Sequence, residues 1–208
     1  MDADPQVLDL EHSAICSLGW APTLIEGALK KHLEQHFASP RTIQEPNLRT
    51  YLWYSQYDVS KISIESIGRW RPETAGFRPA IVLRRNDYKP QKVSIGDKVF
   101  GYGDGVASEY TEFGMGSHTL FIMAANYGEA ESLGIEVYCE LHKFGPASAR
   151  ELGLHRLAVV QMGRPQPVAE ANGYFGLPVT VAYAHNSDWQ VMQHAPIFRD
   201  IELQAFRP

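Results

Sequence analysis

The stretch GYFGLPVTVAYAHNSDW, residues 173–189, sorts into two lists when every second residue is taken. Phe175, Leu177, Val179, Val181 and Tyr183 are bulky and apolar, whereas Gly176, Pro178, Thr180, Ala182 and Ala184 are small or neutral. Side chains of a strand alternate between its two sides, so a period of two predicts a β-strand with a thick face and a thin one. The thick face belongs to a core. The thin face has little charge for water and little bulk for a core, so it suits the close approach of another layer. That layer is either a neighbouring subunit or its arm, or a helix of the same subunit. Pro178 lacks a ladder donor, which places the strand at a sheet edge or bulges it there.

Working outward, SHTLFIMAAN (117–126) and FRPAIVLRRNDY (77–88) read as buried strands, the second ending in charge. Lys61 to Ile67 alternates around Ile62 and Ile64 and suggests another. Between the two buried strands, residues 84–114 carry turn signals at Lys89–Pro90, Gly96–Asp97 and Gly103–Asp104–Gly105, and read as a protruding loop or hairpin. Two helices are predicted. Pro22 opens the first, with Ile25, Ala28, Leu29, Leu33 and Phe37 as its stripe and Pro40 as its stop. The second starts at Asn126 or Tyr127, carries Glu129 and Glu131 at its positive end, and presents Ala130, Leu133, Val137, Leu141 and Phe144. Gly145–Pro146 is its expected stop, with PASARELG (146–153) as a separate helical turn and LHRLAVVQMG (154–163) as the next strand. Residues 1–21 read as an arm; residues 192–208 read as an arm or a last strand, with Ile197, Ile201 and Leu203 in APIFRDIELQAF. The fold class is α+β: a mostly antiparallel sheet with two main helices on one face and the long excursion beside it, in one domain.

The totals agree with a folded domain: 208 residues, 44% hydrophobic and 21% charged. A net charge of -5 argues against a broad nucleic-acid grip, which needs excess Lys and Arg. Cys16 and Cys139 match no metal or redox spacing and are expected as two buried free thiols. There is no apolar run of ~18 residues and no basic n-region before an apolar stretch, so a soluble intracellular protein is expected.

The sharpest chemical candidate is HLEQH, with His32 and His36 one helical turn apart. That spacing can bring two imidazoles to one metal. Zinc peptidases need Glu directly after the first His or directly before the second, and here those positions are Leu33 and Gln35. The two histidines therefore read as the edge of an apolar stripe, and a small metal-dependent hydrolase is a minor alternative. GYGDG (101–105) and GMGSH (114–118) lack the Lys-Ser/Thr of a phosphate loop and read as turns. Ser117 and His118 are neighbours in a strand, so they face opposite sides and form no nucleophile–base pair. His142, His155, His185 and His194 are scattered and read as structural. Tyr51, Trp53, Tyr54, Tyr57 and Trp70 form an aromatic group flanked only by Arg49 and Lys61, so core or subunit interface is preferred over base stacking. No catalytic residue, metal ligand or cofactor site emerges. Two contact surfaces do: the charged excursion (Arg84, Arg85, Asp87, Lys89, Lys92, Asp97, Lys98, Asp104), and the thin face (Thr180, Ala182, Ala184) with Trp189 at its end.

From Gly116 to Val191 the chain resembles the neck proteins of tailed bacteriophages, in particular tail terminators. The resemblance is carried by a strand leading into YGEAESLGIEVYCEL (127–141), then LGLHR (152–156), then PVTVAYAH (178–185) and SDWQV (187–191). It implies a small α+β subunit of a virion that closes into a homo-oligomeric ring of six. The ring would cap the tail tube protein, meet the head connector or stopper protein, and let DNA pass its lumen without specific binding. It implies no catalysis, no cofactor and no membrane contact. A head-closure (stopper) or other connector protein is the near alternative.

Overall fold

The computed structural model describes residues 21–72, 76, 78–91, 98–101, 107–169, 171 and 173–192; within 98–101, 107–112 and 187–192 the description is of the backbone. The expected N-terminal arm as far as residue 20, Cys16, Lys92, Asp97, Asp104, His194 and the expected C-terminal arm from residue 193 lie outside the described residues.

Among the described residues seven strands form one sheet: β1 (Ser63–Ser66), β2 (Ala80–Gln91), β3 (Lys98–Gly101), β4 (Ala107–Ala124), β5 (Arg156–Met162), β6 (Gln166–Pro167) and β7 (Phe175–Met192). The order is β1-β2-β4-β7-β5, with β3 beside β4 and β6 beside β7. β1 and β2 are parallel and the other pairs are antiparallel. Helices α1 (Ala21–Phe37) and α2 (Tyr127–Glu151) cover one face. The chain is α+β, with a mostly antiparallel sheet.

The core lies between those helices and the thick face of β7. Ile25, Leu29, Leu33 and Phe37 of α1 and Leu133, Val137 and Leu141 of α2 pack on Ile64, Ile81, Leu83, Leu120, Ile122, Leu177, Val179 and Val181. Each such side chain contributes roughly 1.5–3 kcal/mol by leaving water, well above any helix propensity, so this packing decides where the helices lie. Asn126 caps α2, its side chain accepting from the Glu129 N–H at 2.8 Å. Among the described residues no helix is long and apolar enough to cross a membrane.

Several expectations are corrected. β7 is an interior strand, between β4 and the pair β5 and β6. The Pro178 carbonyl accepts from Gly163 N–H at 2.8 Å, toward the β5 side. N and O of one strand residue point to the same flank, so the missing Pro178 donor faces the step between β5 and β6 and leaves the β4 ladder whole.

Gly145–Pro146 does not stop α2, which runs on to Glu151 with Pro146 inside it. The helix tolerates the loss of one internal hydrogen bond. A Cβ at Gly145 would stand 2.8 Å from the Leu157 carbonyl oxygen, so this glycine lets α2 lie directly on β5. Phe144 is 46% exposed and Cys139 is half-buried, although both were expected inside. Arg84–Gln91 continue β2, and residues 107–114 already belong to β4. Tyr51, Leu52 and Trp53 lean on the core, while Tyr54 and Tyr57 are exposed, with Arg78 stacked 4.2 Å over the Tyr57 ring.

Candidate interaction surface

The register of β7 shows what its thin face joins. Pro178 lies opposite Phe121, and Phe121 opposite Val82; Thr180 lies opposite Thr119, and Thr119 opposite Arg84. Ala182 lies between Ser117 and Ala158. Paired residues of a ladder share a face, so these three rows form one side of the sheet. Both α1 and α2 pack on the other side, and neither covers this one. Pro178, Thr180 and Ala182 remain half-buried, whereas Ala184 is buried.

The polar groups of this side satisfy one another. Asn86 Nδ2 donates to Ser117 Oγ at 3.1 Å and to Thr119 Oγ1 at 2.9 Å, and the Thr119 and Thr180 hydroxyls are 3.4 Å apart. A partner laid here meets small side chains whose hydrogen bonds are already made, so little is lost on drying the contact.

At one end this side deepens into a groove of about 590 Å³ lined by Ile67, Trp70, Val82, Arg84, Phe121 and Pro178, among others. Its floor rests on a small second cluster, in which Ala80, Val82 and Met123 lie under Ala171 and Tyr174. The exposed Arg84 guanidinium stands 4.8 Å over the Phe121 ring, and no described carboxylate is bridged to it. Trp70 meets Tyr174 edge to face at 6.4 Å. Its buried Nε1 has no hydrogen-bond partner among the described residues.

The charged residues singled out in the sequence do not form one surface. Arg84, Thr180 and Ala182 share the open side, whereas Arg85 lies opposite His118 on the helix-covered side. Arg85, Asp87 and Lys89 are exposed around a bulge between Arg85 and Tyr88. The backbone of Lys98 lies in β3 and that of Trp189 in β7, opposite Tyr110.

The chemically richest cluster is elsewhere, between the helices. His36 is buried, with Nε2 2.9 Å from Glu136 Oε1 and Nδ1 3.2 Å from Glu140 Oε2. His32 Nε2 lies 3.0 Å from Glu140 Oε1, close enough for an ion pair, although its N–H is not aligned as a hydrogen bond. Glu136 also accepts the backbone N–H of Gln44 at 2.9 Å and of Glu45 at 3.1 Å. Among the described residues, no group of three or more His, Cys, Asp or Glu side chains could hold a metal ion. The carboxylates occupy the imidazoles, and the arrangement ties α1, α2 and residues 44–45 together. Glu136 and Glu140 escaped the sequence reading. Their signal was a pair of acids one turn apart, beside the apolar positions 133, 137 and 141.

Two more titratable groups are shaped by the core. His118 is fully buried and stacked 5.5 Å from Tyr183, and burial holds its pKa below the ordinary 6.5. Glu26 and the Pro22 carbonyl raise it in smaller measure and Arg85 lowers it; neither ring nitrogen is aligned for a hydrogen bond among the described residues. Burial also pushes the Tyr183 hydroxyl up to about 12. These groups lie under α1 and serve the fold.

In comparisons with known proteins, no family model matches the chain and no curated protein sequence does.

Proposed function

We propose that this chain is a structural subunit of a bacteriophage neck, a tail terminator that closes into a ring, caps the tail tube and joins it to the head connector. It performs no reaction in this role. The single observation that carries the reading is the one-sided sheet: two helices bury the thick face, and the small residues of the opposite face stand ready for another chain. Several hundred Å² of such surface contributes several kcal/mol per contact at ~25 cal/mol per Å², before the costs of association. A ring needs two different complementary surfaces on each subunit, and a flat open face with a groove at one end supplies one of them. The residues that resemble neck proteins, 116–191, take in the second half of β4, α2, β5, β6 and nearly all of β7: the two central strands, the β5 end of the sheet and its main helix. DNA would pass the ring without a specific site, in keeping with the net charge of -5.

Sedimentation velocity and native mass spectrometry of the purified protein, alone and with tail tubes, test this. A closed assembly of about six copies that sits at the head–tail joint of labelled virions is the expected result. A count near twelve would favour the connector or stopper position instead. A monomer at high concentration that also ignores tail tubes would overturn the proposal.

A further inference from the structure

We infer that the groove on the open face receives the C-terminal segment of a second copy of this chain, with Phe198 in the groove and Asp200 against Arg84. The inference rests on the subunit-contact reading above and names the partner of that face.

Three observations carry it. The first is chemical. The groove, about 590 Å³, is walled by Ile67, Trp70, Phe121 and Pro178, and Arg84 stands at its mouth with no described carboxylate bridged to it. An apolar hollow edged by two arginines, Arg71 and Arg84, with Arg84 over the Phe121 ring, fits an apolar side chain followed closely by an acid. The segment beyond β7, QHAPIFRDIELQAFRP (193–208), contains that pair in Phe198 and Asp200.

The second is spacing. The row Val82–Phe121–Pro178 and the row Arg84–Thr119–Thr180 are two residues apart along their strands. Phe198 and Asp200 are also two residues apart, and in an extended chain their side chains point to the same side, about 6.6 Å from each other. A peptide laid along the sheet therefore puts Phe198 over the first row and Asp200 over the second.

The third is reach, which decides between the same copy and another. β7 ends at Met192, opposite Ala107, while the groove adjoins Pro178. Pro178 and Met192 are separated by about 46 Å along the strand at ~3.3 Å per residue. The six residues from Met192 to Phe198 span at most about 21 Å. Phe198 cannot reach the groove of its own chain, so a second copy donates it. Groove and arm are different surfaces, and such contacts continue from copy to copy until a ring closes.

A charge exchange in the full-length protein tests this, read by sedimentation velocity and native mass spectrometry, with near-ultraviolet circular dichroism as the check on folding. Arg84→Glu and Asp200→Arg alone should each weaken assembly about tenfold or more, and the double variant should recover most of the loss. An equimolar mixture of the two single variants should recover part of it, because half of the possible contacts are then matched. Single variants that assemble as the unaltered chain does, or a double variant no better than the worse single one, overturn the inference. If the singles instead lower thermal stability of a monomer, the arm folds onto its own chain and the inference is wrong. An unaltered protein that stays monomeric sinks both this inference and the ring. Rescue within a dimer or an open chain upholds the arm contact and overturns the ring, whereas a ring indifferent to the exchange does the reverse.

Discussion

The Nε2 of His36 lies 2.9 Å from Oε1 of Glu136, and both side chains are buried. One residue comes from the first helix and the other from the second, so this contact, with those of His36 and His32 to Glu140, adds a polar tie to the apolar packing of the two helices. Glu136 holds the chain after α1 as well, by accepting two backbone N–H groups at Gln44 and Glu45.

Removing that carboxylate leaves Nε2 of the buried His36 without its partner and strands two backbone donors at once. Glu136→Ala should therefore destabilise the fold by about 3–5 kcal/mol, as the loss of one partner from a buried pair does. Glu136→Gln keeps an acceptor oxygen and should lose clearly less. Urea unfolding midpoints measure both, and equal losses would show that the charge and the acceptor are not separable here.

His118 makes stability depend on pH. Its folded pKa lies below the unfolded value of 6.5, so the unfolded chain binds the proton more readily. Its stabilisation is full above about pH 6.5 and is lost as pH falls from there through the folded value. His118→Phe keeps a ring against Tyr183 and removes the titration, so its stability should fall less than that of the unaltered chain between about pH 7.5 and 5.5. Parallel pH profiles of the two would assign the dependence to another group.

Two tyrosines should ionise late. The Tyr51 hydroxyl donates to the Glu129 carboxylate, and that bond, with burial and the nearby charge, raises its pKa from 10.0 to about 12. Tyr183 is raised to about 12 as well, chiefly by burial. Both contribute stability that is fully present below pH 10 and is lost as pH rises through about 12. In a tyrosinate absorbance titration, Tyr51→Phe and Tyr183→Phe should each remove part of the change near the top of the range. Glu129→Gln should move the Tyr51 component downward.

Two glycines within helices should respond to alanine with opposite signs. A Cβ at Gly27 meets nothing within 4 Å, so Gly27→Ala should stabilise α1 by up to about 1 kcal/mol. At Gly145 the Cβ would be 2.8 Å from a backbone oxygen of β5, which cannot swing aside. Gly145→Ala should therefore destabilise by about 1–3 kcal/mol despite the better propensity. Thermal melts of the two variants check the pair, and a common sign would mean that helix propensity alone governs both.

Much of this architecture was legible in the sequence, and the misses share a cause. The period of two in Phe175–Tyr183 marked both faces of β7, and the 3.6 period marked the stripes of both helices. Asn126 and Glu129 announced the start of α2 through local hydrogen bonding, which needs no tertiary context. Local rules failed where a neighbour overruled them. Pro146 reads as a stop, yet packing on β5 carries the helix past it. Pro178 reads as an edge or bulge residue, but which flank its nitrogen faces depends on where β5 ends. The groove was invisible because Trp70, Phe121 and Pro178 come from three distant parts of the chain. The alternation placed Thr180 and Ala182 on the face opposite the core, where they lie; Arg84 was named for the excursion and instead stands beside them.

The long ladder of β4 against β7 also sets an order of events. Ala124 faces Phe175 at one end and Ala107 faces Met192 at the other, so each successive rung encloses a longer segment of chain. Entropy favours closing the shortest segment first, and that segment holds α2 and β5. The sheet therefore zips outward from the Ala124 rung and unzips from the Ala107 rung, which makes amide exchange a gradient along β7: slow at Leu177, fast near Met192.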